Sequence, residues 1–493
     1  MIDSLMTVSG PAACLPPAAR RASLRRLARL LAAVGAMPLL TGCLLTADRL
    51  DPALDIPTSY RAPHGTAKAA LPSAEWWRGF RSGELTDLME QALAANYDIA
   101  AAVARILQAD AQARVTGAAL LPTLDAASNV TRSGNGGGGS AFTASSVHTV
   151  ALNASYVVDF WGRNRDLLRS AEFAASASRF DRELIALTTM VSVADSYFLV
   201  LEAQDRIHVN TQSVTSSERI LKLVQDRFNN GTAAALDVAQ QASIVAIQRA
   251  ALPPLIQQRD QNRAALALLV GRTPEHTAVH GGSMYKLGIP RVTPGLPSDL
   301  LTQRPDVREA EARLAAANAN VTAARAAFFP TIQLTGQGGF SSLALRTLFG
   351  PGAAFYTVAA AATQPIFDGG TLLGQLDLQK ASREELMQNY RKAAVSAFTD
   401  VEKALVGVAQ LTRQEQLQRD AVVQSQKAFD LSEERLQGGT IDLTTLLTAE
   451  QTLFTQQDTL AQVRFTRLEA IVSLFQALGG GWLGADQAGL PNG

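Results

Sequence analysis

Cysteine is nearly absent: the 493 residues contain two, Cys14 and Cys43. Both lie near the N-terminus, so the body of the chain has neither a disulfide framework nor thiol chemistry. Charge of one sign is also lacking, since 44 Lys and Arg meet 44 Asp and Glu, and nothing in that balance favours nucleic acid as a partner. Past the first 42 residues no uninterrupted apolar run reaches 18 residues, so no transmembrane helix is expected. No G-x-S-x-G occurs, five scattered His leave no Ser-His-Asp arrangement, and no ATP-binding motif is present. Gly134-x-Gly136-x-x-Gly139 matches a dinucleotide fingerprint in letters only, because it lies between two strand patterns with no helix following. His276 and His280 have ligand-like spacing, but Thr273-Pro274 and Gly281-Gly282 place them in a loop with no third ligand near. The sequence therefore predicts no enzyme, no metal and no cofactor. With 47% hydrophobic and 18% charged residues, it does predict a folded core.

The N-terminus is a leader. Arg20, Arg21, Arg25, Arg26 and Arg29 precede an apolar run from Leu30 to Leu40, which ends in Leu40-Thr41-Gly42-Cys43. The small residues before Cys43 look like a bacterial lipobox, which predicts a signal peptide over 1–42 and a covalent lipid on the Cys43 thiol. Cleavage removes five Arg and one Asp, leaving 39 basic against 43 acidic residues, a net of −4. Leu44 rather than Asp after the Cys points to the outer membrane. Lipid anchors a protein without spanning the bilayer. The Pro-, Ala- and Asp-rich stretch up to residue 74 reads as an extended tether, 43–74.

The rest is a duplication. Asp98 and Asp306, Arg105 and Arg313, Pro122 and Pro330, Thr232 and Thr440, and Gly271 and Gly479 are each 208 residues apart, far beyond solenoid periods. One repeat covers 75–271 and the other 303–480, with a linker over 272–302 and a tail over 481–493. Each reads as helix, strand, loop, strand, very long helix, Gly-Thr turn, helix.

In the first repeat Pro122 stops a helix, and alternation follows. Leu124, Ala126, Ser128 and Val130 share one face; after the glycine run, so do Val150, Leu152, Ala154, Tyr156, Val158 and Phe160. The second repeat continues with Ile332, Leu334 and Phe340, then Phe355 to Gln364. Strands of about ten residues, apolar on one side and small or polar on the other, have the length and pattern of tilted membrane strands. The helices from about Asn164 to Phe228 and Leu372 to Gln437 would each reach about 100 Å. Leu184, Leu187, Val191, Ala194, Phe198 and Leu201 form a heptad seam, as do Tyr390, Ala394, Ala397, Val401, Leu405 and Val408. Helices of this length must pack laterally against others. Asn230-Gly231-Thr232 and Gly438-Gly439-Thr440 turn the chain at their ends. There Gly supplies the left-handed conformation, and Thr232 and Thr440 are expected to cap the helices that follow.

Residues 298–335, SDLLTQRPDVREAEARLAAANANVTAARAAFFPTIQLT, closely resemble the signature of the TolC-like outer-membrane efflux protein family, in its NodT-type lipoprotein branch. EWWRGFRSGELTDLMEQALAANYDI (75–99), VDFWGRNR (158–165) and QPIFDGG (364–370) match the same family, so the resemblance covers essentially the whole chain after the leader. It implies a mixed α+β membrane protein: an internally duplicated homotrimer whose pooled strands close a 12-stranded β-barrel, continued by a 12-helix barrel. Four strands per chain cannot close a barrel alone, which agrees. The resemblance further implies that Gly231, Thr232, Gly439 and Thr440 lie at periplasmic tips. These would contact a membrane-fusion (adaptor) protein, itself joined to an inner-membrane pump of the resistance-nodulation-division type. Family members commonly carry Asp just after the second tip. Here Thr445 and Thr448 stand there, with Asp237 the nearest equivalent in the first repeat, so a carboxylate ring at this pore constriction is placed in doubt.

The implied function is a passive efflux exit duct. A type I secretion exit would share the fold and differ in partner. A lipid-anchored periplasmic coiled-coil rod without a pore is the alternative from another class.

Overall fold

The computed structural model describes residues 52–54, 56–57, 59–61, 73–135, 143–290, 292 and 297–480. The leader, Cys43 and the 481–493 tail lie outside these residues, as does most of the Gly134–Gly139 run. In the first half, α1 (Gly83–Ala95) and α2 (Tyr97–Gly117) lead into β1 (Thr123–Asn135) and β2 (Thr143–Val158), then α3 (Arg163–Asn229) and α4 (Ala235–Leu269). The second half repeats the order with α5 (Pro305–Ala326), β3 (Thr331–Ser342), β4 (Ala354–Thr363), α6 (Thr371–Gln437) and α7 (Leu443–Ala477). The protein is mostly helical with one sheet.

Local chemistry sets these boundaries. Asn96 separates α1 from α2 because its Oδ1 accepts from the amides of Asp98 (2.8 Å) and Ile99 (3.1 Å), a cap worth about 1 kcal/mol. The long helices α3 and α6, 67 residues each, start from two related Asp caps. Asp159 accepts from the amides of Asn164 and Arg165, both at 3.0 Å. Asp368 accepts from those of Gly370 (2.9 Å) and Leu372 (2.8 Å).

The chain divides into two compact units. The unit built from residues 122–166 and 319–378 holds the sheet, an antiparallel meander in the order β1-β2-β3-β4. Sequential antiparallel neighbours need only short connections. The strands of the first repeat join those of the second through β2 and β3, where Leu152 faces Gly338 and Tyr156 faces Leu334.

The other unit is helical. Its largest core gathers Trp76, Trp77, Phe80, Leu85 and Met89 against Phe198, Leu201, Leu266, Ile471 and Phe475, with Trp76 stacked on Phe475 at 5.1 Å. Each such ring or aliphatic chain stabilises the fold by about 2–3 kcal/mol through burial. The seam positions Val191, Ala194, Phe198 and Leu201 on α3 and Ala394, Ala397, Val401 and Leu405 on α6 are all buried. One stretch of α3 is apolar enough on average to cross a bilayer, but 56% of it is buried among the other helices. It is bundle core.

Tertiary contacts repeat with the same 208-residue offset. Gly271 (φ +71°) lies against the Ala95 carbonyl and Gly479 (φ +89°) against that of Gln303, so close that a Cβ would stand 2.2 and 2.5 Å from those oxygens. Beside them, Asn96 Nδ2 donates to the Leu269 carbonyl at 2.8 Å and Arg304 Nη1 to that of Ala477 at 3.2 Å. Asn210 Nδ2 donates to the Gln248 carbonyl at 3.1 Å, and Gln418 Nε2 to that of Gln456 at 3.0 Å. The symmetry fails within α4, where Pro253 and Pro254 sit inside the helix and the matching residues of α7 are Ala461 and Gln462.

Candidate functional sites: a strand wall and two helix tips

Residues paired across strands share a face of the sheet, so the register sorts the side chains. Leu124, Ala126 and Val130 lie on the same face as Val150, Leu152, Ala154 and Tyr156, then Ile332, Leu334 and Phe340, then Tyr356, Val358 and Ala360. The opposite face carries a cross-strand row of Asp125, Asn153, Gln337 and Thr357, flanked by Asn129, Thr149, Gln333 and Thr335. The run Ala359–Ala362, ambiguous by itself, takes its sides from this register. Much of the apolar face is uncovered: Leu124, Val130, Leu152, Leu334, Tyr356 and Val358 are exposed. In water an uncovered face of this size would be costly; against lipid it is not.

Aromatic side chains collect at both ends of the strands. At the helix end, Trp161 stacks on Phe329 at 4.7 Å, meets Phe160 edge-on at 4.8 Å and donates its Nε1–H to the Pro330 carbonyl at 2.8 Å. Ile366 and Phe367 are exposed beside the same junction. At the loop end Phe340 meets Phe349 at 5.2 Å. Trp161, with an apolar ring and a polar N–H, suits the boundary of a bilayer, and the apolar Phe rings extend the lipid-facing surface at both ends. The sequence reading extended the β2 alternation to Phe160. The structure ends β2 at Val158, because Asp159 turns to cap α3 and Phe160 joins the aromatic cluster instead.

Each tip is a Schellman turn. Gly231 (φ +75°) and Gly439 (φ +71°) take the left-handed conformation. Their amides donate to the carbonyls of Phe228 and Leu436, while the amides of Thr232 and Thr440 donate to those of Arg227 (2.8 Å) and Arg435 (2.9 Å). The expectation that Thr232 and Thr440 cap the following helices is corrected here. Their hydroxyls donate backwards, to the same Arg227 and Arg435 carbonyls at 3.0 and 3.1 Å, because α4 and α7 begin three residues further on.

Carboxylates start those helices, from positions that trade roles. In the first half Asp237, three residues past the capping Ala234, accepts from the Ala234 amide at 2.9 Å. In the second half the equivalents are Asp442 and Thr445, and Asp442 itself is the cap, accepting from the Thr445 amide at 2.8 Å and its hydroxyl at 2.6 Å. That hydroxyl and amide hold the Asp442 carboxyl below its usual range. Thr448 donates to the Thr444 carbonyl at 2.9 Å. Thr445 and Thr448 are exposed, and Asp237 is half-buried. Asp442, an exposed acid at this tip, was missed in the sequence, although its place two residues beyond Gly-Thr marks a cap. The tips are also tied to one another: Arg227 Nη1 donates to the Leu436 carbonyl at 3.1 Å, and Arg219 pairs with Glu433 at 3.0 Å.

Cys43 lies outside the described residues. Nearer the bundle, Arg391 donates to the Pro52 carbonyl at 2.8 Å and the Arg61 amide donates to Glu402 at 3.1 Å. This piece therefore runs parallel to α6. The linker is fastened by its own amides: those of His280 and Gly281 donate to Glu84, that of Gly282 to Gln204 and that of Met284 to Asp205, at 2.6 to 3.0 Å. His276 bonds Thr273 at 2.8 Å while His280 faces Glu84 at 3.7 Å, so the two His have different partners.

An amphipathic sheet with lipid-suited rims, in a chain that also holds two 67-residue helices, marks a membrane protein of mixed α and β structure. A family model described as outer membrane efflux protein matches residues 88–272 and 296–480. The pyoverdine export outer membrane protein OpmQ of Pseudomonas aeruginosa is 39% identical over 469 residues, 93% of this chain and 98% of that protein. The cation efflux system protein CusC of Escherichia coli is 30% identical over 90% of this chain and 96% of its own. Among solved structures, the open state of the Neisseria gonorrhoeae MtrE outer membrane channel aligns with a TM-score of 0.80 at 29% identity, covering 88% of this chain and 97% of that one. The chain belongs to the outer membrane efflux protein family, and it is an outer-membrane efflux channel component.

Proposed function

We propose that the protein is the passive exit duct of a tripartite, resistance-nodulation-division-type efflux system, working as a homotrimer with 12 strands and 12 helices. The observation that carries this is the four-stranded sheet, polar on one face and apolar on the other, whose β1 and β4 outer edges have no partner strand among the described residues. Open edges invite pairing with another chain, and three copies give a closed 12-stranded wall. Exposed Val395, Val406 and Leu417 form a stripe on α6 at 11-residue spacing, three turns apart, which suits lateral packing of copies.

The duct takes a covalent lipid at Cys43 after removal of residues 1–42, and an extended tether over 43–74 follows. Residues 75–271 and 303–480 are its two repeats, joined by the 272–302 linker. Gly231, Thr232, Gly439 and Thr440 dock the helical hairpin of a periplasmic adaptor. The absence of any atom within 4 Å of a Cβ built on Gly231 or Gly439 supports this, because it leaves room for a close approach. Asp237, Thr445 and Thr448 line the entrance. Relatives named for pyoverdine export, cation efflux and toluene efflux share nearly the whole length of this chain, which supports cargo selection in the pump rather than in the duct.

The test is crosslinking of the full-length protein to its adaptor. Gly231→Glu and Gly439→Glu should each cost about 1 kcal/mol of local strain, leave the trimer intact and reduce the crosslink. An undiminished crosslink in both variants would reject the docking assignment.

A further inference from the structure

Five side chains that are almost wholly buried meet where α3, α4 and α7 come together near the tips: Asn210, Ser217, Gln241, Gln248 and Glu450. Asn210 and Ser217 are seven residues apart on α3, as are Gln241 and Gln248 on α4, and they stand in buried rows whose other members are the apolar Ala203 and Val224 on α3 and Leu255 on α4. Gln241 Nε2 donates to the Ser217 carbonyl at 2.9 Å. In the other half of the duplication Ser425 and Gln456 match Ser217 and Gln248, but Ala449 stands for Gln241, and the counterpart of Glu450 is Ala242. The carboxyl is thus present at one junction of the pair, where it joins the last helix of the second half to the long helix of the first.

Ser217 Oγ makes hydrogen-bond contact with two acceptors, Gln248 Oε1 at 2.5 Å and Glu450 Oε1, yet a hydroxyl has one hydrogen. Two oxygens in the shell of a shared cation, each about 2.4 Å from it, would normally stand roughly 3 Å or more apart. With the Gln248 amide oriented Oε1 toward Ser217, a second proton fills the gap. We infer that Glu450 is the neutral acid and that Glu450 O–H to Ser217 Oγ–H to Gln248 Oε1 is a proton-dependent latch holding α7 against α3 just inside the tips.

The surroundings agree. Burial, the largest influence, pushes the Glu450 carboxyl up, while hydrogen bonds from Ser217 and Gln241 act against it. Of the charged groups facing it, Glu433 on α6 repels the ionised form and Arg219 on α3 favours it, and those two are paired with each other. α4 presents Gln241 and Gln248. Glu450 Oε2 has no hydrogen-bond partner, so ionisation would leave half of a buried carboxylate unsolvated. A cavity of about 150 Å³, lined by Gln212, Gln426 and Gln457 together with Phe429, Leu453 and Phe454, adjoins Glu450 and is wide enough for water. The sign follows: with its folded pKa raised, Glu450 contributes stability that is present below the unfolded carboxyl pKa. That contribution is lost as pH rises through the folded value.

The test is amide hydrogen exchange over residues 443–455 of the intact protein in liposomes, corrected for intrinsic rates, between about pH 5 and pH 9. Protection in the wild type should fall as pH rises. Glu450→Gln, which stays neutral and keeps a donor, should be insensitive to pH and as protected as the wild type at low pH. Infrared spectra in an Asp195→Asn background, which removes the other raised acid, should show a protonated-carboxyl C=O band that Glu450→Gln abolishes. The latch is overturned if wild-type protection is flat or rises with pH, or if the acid band is absent. A rise with pH, with Glu450→Gln less protected throughout, would mean that Gln248 donates its amide to Ser217 and Glu450 is ionised. None of these outcomes depends on whether the trimer conducts.

Discussion

Gly271 and Gly231 share a backbone conformation, φ +71° and +75°, but not a neighbourhood. A Cβ at Gly231 meets nothing within 4 Å, whereas one at Gly271 would stand 2.2 Å from the Ala95 carbonyl oxygen and 2.9 Å from its carbon. Alanine at either position bears the left-handed penalty, about 1 kcal/mol. At Gly271 it must also displace the backbone at the end of α1, beside the Asn96 side chain that caps α2 and bonds Leu269. Overpacking of that kind adds about 1–3 kcal/mol, so Gly271→Ala should cost about 2–4 kcal/mol against about 1 for Gly231→Ala. Gly479→Ala should behave like Gly271→Ala because its Cβ would stand 2.5 Å from the Gln303 carbonyl. The assay is denaturant-induced unfolding of the purified trimer, followed by helical circular dichroism. Equal losses at Gly231 and Gly271 would refute the reasoning, since they would show that backbone conformation alone sets the cost.

Cys43→Ala should remove a lipid mass adduct from the mature N-terminus without dissolving the trimer; an unmodified wild-type N-terminus would contradict lipidation. Burial and the neighbouring Glu469 push the Asp195 carboxyl up to about 7 from an ordinary 3.8. Its contribution is therefore present below the unfolded value and lost as pH rises through about 7, and Asp195→Asn should flatten the fall in stability between pH 4 and 7 by on the order of 3 kcal/mol. Thr448→Asp should introduce divalent-cation block from the tip side, measured by single-channel conductance. Strong block already in the wild type that is lost on Asp237→Asn would place the charged ring on α4.

The long helices were legible almost to the residue, because chain without Pro, and with only Gly374 and Gly407 in the second of them, leaves little freedom between Asp-led starts and Gly-Thr stops. The seams on α3 and α6 were equally legible from their three-four spacing. The tips were found, but the role of Thr was misread: a Thr after Gly can bond backwards or forwards, and only the start of the next helix decides. Phe160 continued an alternation that the Asp159 cap had already ended. Pro253 and Pro254 gave no warning that they sit inside a continuous α4, where packing overrides their local preference. Glu450, Gln241 and Ser217 escaped because polar residues in a buried row break the apolar pattern by which a seam is recognised. The pairing of β2 with β3 joins residues 174 to 194 apart in sequence, from Val158 with Ile332 to His148 with Ser342, and no local pattern encodes it.

The central claim is that the amphipathic sheet closes a pore by pooling strands between copies. Conductance of the purified full-length protein in planar lipid bilayers tests it most directly. The account predicts discrete unitary steps from a species whose mass is that of three chains. Folded, membrane-bound trimer that gives no conductance, or steps from a single chain, would contradict it.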